Sequence, residues 1–119
     1  MSAVFKINNV EWNILYVNPN SECLMRSDGT ITLGVTDWST RTVYLSNALS
    51  GSLLERVLSH ELVHCASFSY DCQIPIDVEE IVADFLSLYG KEVVSIADDI
   101  LNGVIENGCY KAVWGLYRA

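Results

Sequence analysis

The two histidines of this chain lie four residues apart on either side of a glutamate, in the segment His60-Glu61-Leu62-Val63-His64. Residues separated by four positions share one face of an α-helix, so both imidazoles can bind one metal ion. The glutamate then lies beside the open side of the metal, where a general base is needed. This segment therefore predicts a zinc site with hydrolytic chemistry.

The residues around this segment predict that it is helical. Mostly apolar side chains recur there at helical spacing, at Leu54, Val57, Leu58, Glu61, Cys65 and Phe68. Ser52 and Glu55 match an N-terminal capping box, which predicts where the helix begins. The competing interpretation is an ordinary helix whose histidines are only hydrogen-bonded, and a third metal ligand is needed to weigh against it.

A third ligand is available on a second predicted helix, over residues 76–89. Glu80 and Asp84 are four residues apart on this helix and share one face. A zinc site with two histidines and one glutamate needs a carboxylate from a second helix, and its histidines need an acceptor for their other ring nitrogen. The sequence predicts Glu80 as the ligand and Asp84 as the acceptor, most simply for His60.

The start of this second helix leaves an alternative open. Asp77 is the predicted N-cap, and the run from Asp77 to Glu80 is itself a capping-box pattern, in which Glu80 would bond the Asp77 backbone amide. Glu79 would then compete as the ligand. Glu80 is preferred because only this residue has an aspartate four positions later. The apolar residues around Asp84 predict a mostly buried helix, which ends at Gly90.

The HExxH segment and the Glu80-x-x-x-Asp84 pair together resemble the gluzincin metallopeptidases. The short spacing between the two helices resembles the smallest members of that group, the minigluzincins. The order of segments is also similar to the ImmA/IrrE-type metallopeptidase domains common in phages and mobile elements. The resemblance implies a zinc metalloendopeptidase in which His60, His64 and Glu80 bind Zn²⁺ and Glu61 is the general base.

The resemblance, which covers residues 30 to 102, also bears on substrate binding. It implies that an edge strand beside the cleft, here Thr42 to Ser46, binds extended substrate as an added strand. Larger gluzincins take an oxyanion donor, a tyrosine or a histidine, from outside the motif. Because this chain has no third histidine, the unranked candidates are Tyr70, Tyr89, Tyr110 and Tyr117.

Upstream of the zinc motif the sequence predicts strands, so the expected fold class is α+β. We expect a small N-terminal antiparallel or mixed sheet, packed on the zincin helix pair, with additional C-terminal helices. The predicted strands are a hairpin, Val4 to Ile7 and Glu11 to Val17 around an Asn8-Asn9 turn, then Ile31 to Val35 and Thr42 to Leu45. A third helix, or a continuation of the second through Gly90, is predicted up to Asn102.

Length and composition predict one domain over residues 1–119. Half of the residues are hydrophobic, which suits a single core. The net charge of −8, with seven Lys and Arg residues that form no cluster, argues against nucleic acid as a partner. The sequence lacks the features of a signal peptide or a membrane span, and its four cysteines lack C-x-x-C spacing. We expect a cytoplasmic monomer with free thiols and no membrane partner.

The expected partner is a peptide or protein substrate, such as a regulatory protein, cleaved with narrow specificity. Two non-catalytic alternatives stay open. One is a zinc-stabilised interaction module of mobile-element origin, which binds a host or phage regulator without using Glu61. The other is the same fold acting by binding without metal. Restraint of the peptidase would come from substrate recognition or from the apolar tail, Cys109 to Tyr117, if this tail covers the cleft. Its residues Trp114, Leu116 and Tyr117 could lie on the core or on the cleft, and the core is preferred because large aromatic side chains are usually buried.

Overall fold

A computed structural model describes residues 2–103 of the chain. One mixed sheet of four strands is followed by helices, so the predicted α+β fold class is confirmed. In chain order the elements are β1 (Ser2–Ile7), β2 (Val10–Val17), a short 3-10 helix (Glu22–Leu24), β3 (Gly34–Asp37), β4 (Thr42–Ser46), α1 (Gly51–Ser69), α2 (Ile76–Phe85), a π-helical turn (Leu86–Gly90) and α3 (Lys91–Leu101). No helix within these residues is long and apolar enough to cross a membrane.

The chain divides into two compact units between Leu88 and Tyr89. The first unit contains the sheet, α1 and α2. Of the second unit the structure describes the amphipathic helix α3, and the predicted docking of the segment from Cys109 to Tyr117 lies outside the described residues. One domain over residues 1–119 stays a prediction.

β1 and β2 form the predicted hairpin, whose turn is made by two asparagines. Asn8 and Asn9 have φ values of 49° and 63°, in the left-handed region that a type I′ turn requires and that asparagine tolerates. Side chains alternate along β2, so that Trp12 and Ile14 are buried while Asn13 between them is exposed. This alternation directs one face of the sheet toward the core.

The strand order is β1-β2-β4-β3, with β4 parallel to β2 and antiparallel to β3. β4 is therefore central, and the prediction that Thr42 to Ser46 is an edge strand is wrong. The burial of β4 fits this position, because four of its five residues are buried. The strand predicted from Ile31 to Val35 is displaced, since pairing with β4 begins at Gly34 and Ile31 forms only an isolated bridge with Met25.

The core lies between the sheet and α1. Its buried members are Trp12, Ile14, Val43, Leu45, Leu49 and Cys65. The Trp12 indole N–H donates to Ser69 Oγ at 2.9 Å, which satisfies the polar atom of a fully buried ring and fixes the last turn of α1 against β2. The packing of this face holds the middle of α1, where the HExxH segment lies, against the sheet.

α1 begins at Gly51 with Ser50 as its N-cap residue, so the capping box predicted at Ser52 and Glu55 is wrong. The Ser50 side chain makes no capping hydrogen bond, while its carbonyl accepts from the Leu54 amide at 3.3 Å. Gly51 has a φ of 57°, a conformation that costs glycine little and lets the chain turn from the preceding loop into the helix. The HExxH segment lies well inside the helix whether α1 begins at Gly51, as observed, or after Ser52, as predicted.

α2 begins at Ile76 with Pro75 as its N-cap residue, so Asp77 lies in the first turn and is not the predicted N-cap. An acidic residue there still favours the helix through the macrodipole. The chain remains helical at Gly90, where φ is −59°. A helix end at this glycine is therefore wrong, and the predicted alternative, a helix that continues through Gly90, is confirmed. The expectation of a mostly buried helix fails as well, because α2 buries only two residues, Glu79 and Ala83.

The cysteines of the described residues are free thiols, as expected. Cys23 and Cys72 are exposed and Cys65 is buried, whereas Cys109 lies outside the described residues. Burial, together with the nearby Glu61 carboxylate, raises the pKa of the Cys65 thiol to about 12. The Cys65 side chain is therefore a neutral core residue and not a metal-binding thiolate.

Candidate metal centre

Two helices bring the three predicted ligands together. His60 and His64 lie one turn apart on α1, and their Nε2 atoms are 3.3 Å apart. Glu80 on α2 places Oε1 2.7 Å from His64 Nε2 and Oε2 3.5 Å from His60 Nε2. One ligand atom from each of the three residues lies within 4.8 Å of the others, so this group could hold a metal ion.

The spacing of these atoms suits a tetrahedral ion. Two ligand atoms that are each about 2.1 Å from one tetrahedral ion lie about 3.4 Å apart. The 3.3 Å between the two Nε2 atoms and the 3.5 Å from His60 Nε2 to Glu80 Oε2 match this spacing. The 2.7 Å contact to His64 is a hydrogen-bond distance, which a small rotation of the Glu80 side chain, 40% exposed, can open.

The other ring nitrogen of His64 faces a buried carboxylate. His64 Nδ1 lies 2.6 Å from Glu79 Oε1, and the Ser67 hydroxyl donates to Glu79 Oε2 at 2.6 Å. Glu79 is only 3% exposed, and an ionised carboxylate at that depth needs both partners. A proton on Nδ1 leaves the Nε2 lone pair directed at the metal group.

Sequence reasoning treated Glu79 only as a competing ligand and missed its position behind His64. A signal for that position was present in the chain. Ser67 lies three residues after His64 and so shares its face of α1. Glu79 directly precedes Glu80 on α2, so the two side chains leave the helix in different directions. Two adjacent glutamates can therefore serve the same histidine from opposite ring nitrogens, Glu80 at Nε2 and Glu79 at Nδ1.

His60 has its own carboxylate. Its Nδ1 lies 2.9 Å from Asp84 Oδ1, so the structure brings together the pair that the i, i+4 spacing on α2 suggested. The Asp84 side chain is 62% exposed, unlike Glu79. The hydrogen bond to His60 therefore competes with water, and Asp84 constrains its histidine less tightly than Glu79 constrains His64.

Glu61 is directed to the floor of the same site from α1. It is buried, and its Oε1 accepts a hydrogen bond from Thr36 Oγ1 at 2.8 Å. Thr36 lies on β3 and was not recognised from the sequence. With Oε1 held by the hydroxyl, Oε2 is the oxygen left to exchange a proton with a reactant.

β3 approaches α1 closely enough for this contact because residue 34 is a glycine. A Cβ atom at Gly34 would lie 2.9 Å from Val57 Cγ1, 3.1 Å from Glu61 Cγ and 3.2 Å from Leu45 Cδ2. Such distances require a neighbour to move. The glycine therefore sets the separation between the edge strand and the helix that carries the histidines.

A cleft of about 150 Å³ opens over the group. Its walls include Gly34 and Thr36 from β3, Trp38 from the β3–β4 loop and Arg26 from the loop before β3, with the histidines, Glu61 and Glu80 at its base. Of the oxyanion-donor candidates, Tyr70 caps the C-terminus of α1 and does not line the cleft. Tyr89 belongs to the second unit, and Tyr110 and Tyr117 lie outside the described residues.

Comparisons of the chain with known protein families, with curated proteins and with solved structures found no match. The function must therefore be argued from the geometry of the site.

Proposed function

We propose that the protein is a zinc metalloendopeptidase, with His60, His64 and Glu80 as zinc ligands and Glu61 as the general base. The observation that carries the proposal is the arrangement at the cleft floor: three protein ligand atoms at zinc-compatible spacing, with a buried carboxylate beside them. Catalytic zinc sites use three protein ligands and an open fourth position, whereas structural sites use four.

In the proposed reaction, zinc and the protein side chains have different roles. Zinc bound in this group would polarise the scissile carbonyl and lower the pKa of a bound water. Glu61 takes the proton from the attacking water at Oε2 and returns it to the leaving amine, while Thr36 holds Oε1. The carboxylates behind the imidazoles keep both histidines in the tautomer that presents Nε2 to the cleft.

Substrate would bind in extended form along β3. In the part of the chain that the structure describes, this strand pairs with β4 on one side and has no strand on the other, and three of its residues line the cleft, Gly34, Val35 and Thr36. An extended peptide can add to such an edge through main-chain hydrogen bonds. β3 thus takes the role that the resemblance assigned to Thr42 to Ser46. The substrate we propose is a regulatory protein, cleaved with narrow specificity in the cytoplasm.

One observation favours a second function, a zinc-stabilised interaction module. The buried network of His64, Glu79 and Ser67 joins α1 to α2, and metal held at the same histidine would brace the two helices whether or not any bond is cleaved. The interaction module needs the ligands but does not need Glu61.

Replacement of Glu61 separates the two functions. Zinc-loaded full-length protein is incubated with a peptide library and cleavage is read by mass spectrometry, in parallel with Glu61→Gln and, as a matched control on an exposed strand position, Glu11→Gln. We expect the wild type and Glu11→Gln to cleave, and Glu61→Gln to lose at least about 100-fold in rate while retaining one zinc per chain. Full cleavage by Glu61→Gln, or no zinc in the purified wild type, would contradict the peptidase proposal.

A further inference from the structure

A second groove of about 320 Å³ adjoins the metal cleft and contains two arginines. Arg26, from the loop before β3, lines both the cleft and this groove, and Arg56, from α1, lines the groove alone. The two spaces share Gly34, His60 and Glu61. We call the second space the arginine groove. A substrate that extends from the metal cleft into the arginine groove would therefore pass both arginines.

Positive charge is scarce on this chain, which makes its position informative. The sequence has seven Lys and Arg residues against fifteen Asp and Glu, yet two of the seven line one groove beside the candidate metal centre. Charged side chains scattered over a surface usually interact only with water. Two guanidinium groups lie in one concave space, together with the carboxylates of Glu61 and Asp84. The groove therefore offers paired N–H donors to a ligand on a molecule that is acidic as a whole.

Neither arginine is paired within residues 2–103, where no salt bridge to Arg26 or Arg56 is formed. The acids around them have other hydrogen-bond partners. Asp28, whose pKa the Arg26 charge helps to lower, accepts from the Thr30 amide and hydroxyl at 2.9 and 2.6 Å. Glu61 and Asp84, which line the groove, bond Thr36 and His60. Both guanidinium groups are therefore available to a ligand. A guanidinium presents paired N–H donors that match the two oxygens of a carboxylate.

We propose that the arginine groove binds a carboxylate of the substrate close to the scissile bond. This inference rests on the proposed peptidase function for its cleavage readout, but not for its binding readout. The carboxylate has two sources, an acidic side chain within the peptide or a free C-terminus. The first gives an endopeptidase selective for acidic residues, and the second gives cleavage near the C-terminus.

The test uses four pools of synthetic peptides with randomised flanking residues. The pools combine a fixed interior Glu or Gln with a C-terminal carboxylate or amide. Cleavage by the zinc-loaded full-length protein is followed by mass spectrometry, and binding is followed by capture of peptides on immobilised, zinc-loaded Glu61→Gln. Arg26→Gln and Arg56→Gln are compared with Arg41→Gln, which removes the same charge from an exposed turn residue that lines neither space.

We expect either the pools with an interior Glu or the pools with a free C-terminal carboxylate to be captured and cleaved about tenfold better than the matching Gln or amide pools. This factor of about ten is typical of a charge-assisted hydrogen bond. Arg26→Gln and Arg56→Gln should each reduce this preference to about threefold or less, mainly by raising KM, and Arg41→Gln should leave it unchanged. Preference for the Glu pools assigns the groove to a side chain. Preference for the free C-termini assigns it to the terminal carboxylate.

Equal capture of all four pools, or a preference that survives both arginine variants, would overturn the inference. So would an Arg26→Gln variant that slows all four pools equally, because that result assigns Arg26 to the transition state and not to substrate choice. If Glu61→Gln captures the carboxylate pools in an arginine-dependent manner but the wild type cleaves none, the inference stands and the peptidase proposal fails. If no pool is captured or cleaved, both fail.

Discussion

At the scale of single residues, the site is defined by what lies behind each histidine. Both Nδ1 atoms face carboxylates, but Glu79 is buried and also bonded to Ser67, whereas Asp84 is largely exposed. A buried, doubly bonded carboxylate contributes more to the fold than an exposed one, since its loss leaves other buried polar groups unpaired. Replacements of Glu79 and Asp84 should therefore differ more in their effect on the stability of the fold than in their effect on metal binding.

The first prediction separates ligand from supporting residue. Glu80→Gln should weaken zinc affinity most, while Glu79→Gln and Asp84→Asn should each weaken it by roughly 10 to 100-fold. Glu79→Gln should also lower the free energy of unfolding of the metal-free protein by about 1–3 kcal/mol, and Asp84→Asn by much less. Zinc affinity is measured by competition with a chromophoric chelator, and stability by urea unfolding. Equal zinc affinities for Glu79→Gln and Glu80→Gln would refute the assignment of Glu80.

The second prediction concerns Thr36, which bonds the proposed general base Glu61. Thr36→Val removes the 2.8 Å hydrogen bond to Glu61 Oε1 and keeps the side-chain shape, so kcat should fall by about tenfold at unchanged zinc affinity. Thr42→Val on the neighbouring strand is the control, because among residues 2–103 the Thr42 hydroxyl bonds the Thr40 carbonyl and not Glu61. A Thr36→Val variant with wild-type kcat would show that Glu61 is positioned by other contacts.

Much of the site could be predicted from spacing, because helical periodicity alone places His60, His64 and the Glu80/Asp84 pair on common faces. The same spacing places Ser67 on the face of His64, but it does not show that Glu79 bonds both residues. Thr36 could not be found from spacing at all, because its role depends on where β3 meets α1, which is set by packing between segments that are not adjacent in the chain. The roles of the predicted residues toward a metal stay predictions.

At the scale of elements, the distance between β3 and α1 decides whether Glu61 and Thr36 meet. Gly34 allows that distance. Sequence reasoning recognised the hairpin at Asn8-Asn9, because its turn signal is local, but it placed Thr42 to Ser46 at the sheet edge. The parallel pairing of β2 with β4 joins strands separated by a long connection, and no local pattern reports such a pairing.

The third prediction tests this spacing. Gly34→Ala adds a Cβ atom 2.9 Å from Val57 Cγ1 and 3.1 Å from Glu61 Cγ, so it should lower the free energy of unfolding by about 1–3 kcal/mol and reduce activity more than zinc binding. Val57→Ala should relieve the first contact. Urea unfolding of Gly34→Ala, Val57→Ala and the double variant measures the coupling, and the double variant should be more stable than the sum of the single losses predicts. Strict additivity would mean that the strand moves away freely.

At the scale of the whole molecule, the candidate metal centre joins α1 to α2 within the first unit. α2 itself buries only Glu79 and Ala83, and Glu79 bonds His64 and Ser67 of α1. Ligands from two separate helices come together only in the folded chain, so zinc bound by this group would favour the folded state over the unfolded one. Metal binding should therefore stabilise the protein.

The last prediction follows from this linkage. Free zinc at about 100 times its Kd adds about 2.7 kcal/mol to the free energy of unfolding, which raises the Tm of a domain of this size by about 5–15 °C. A chelator should reverse the rise, and Mg²⁺, which prefers octahedral oxygen ligands, should not reproduce it. Glu80→Gln is the matched control: its partly exposed side chain should leave the metal-free Tm nearly unchanged while most of the zinc-dependent rise is lost. A zinc-dependent rise that is the same in wild type and Glu80→Gln would place the metal elsewhere on the chain.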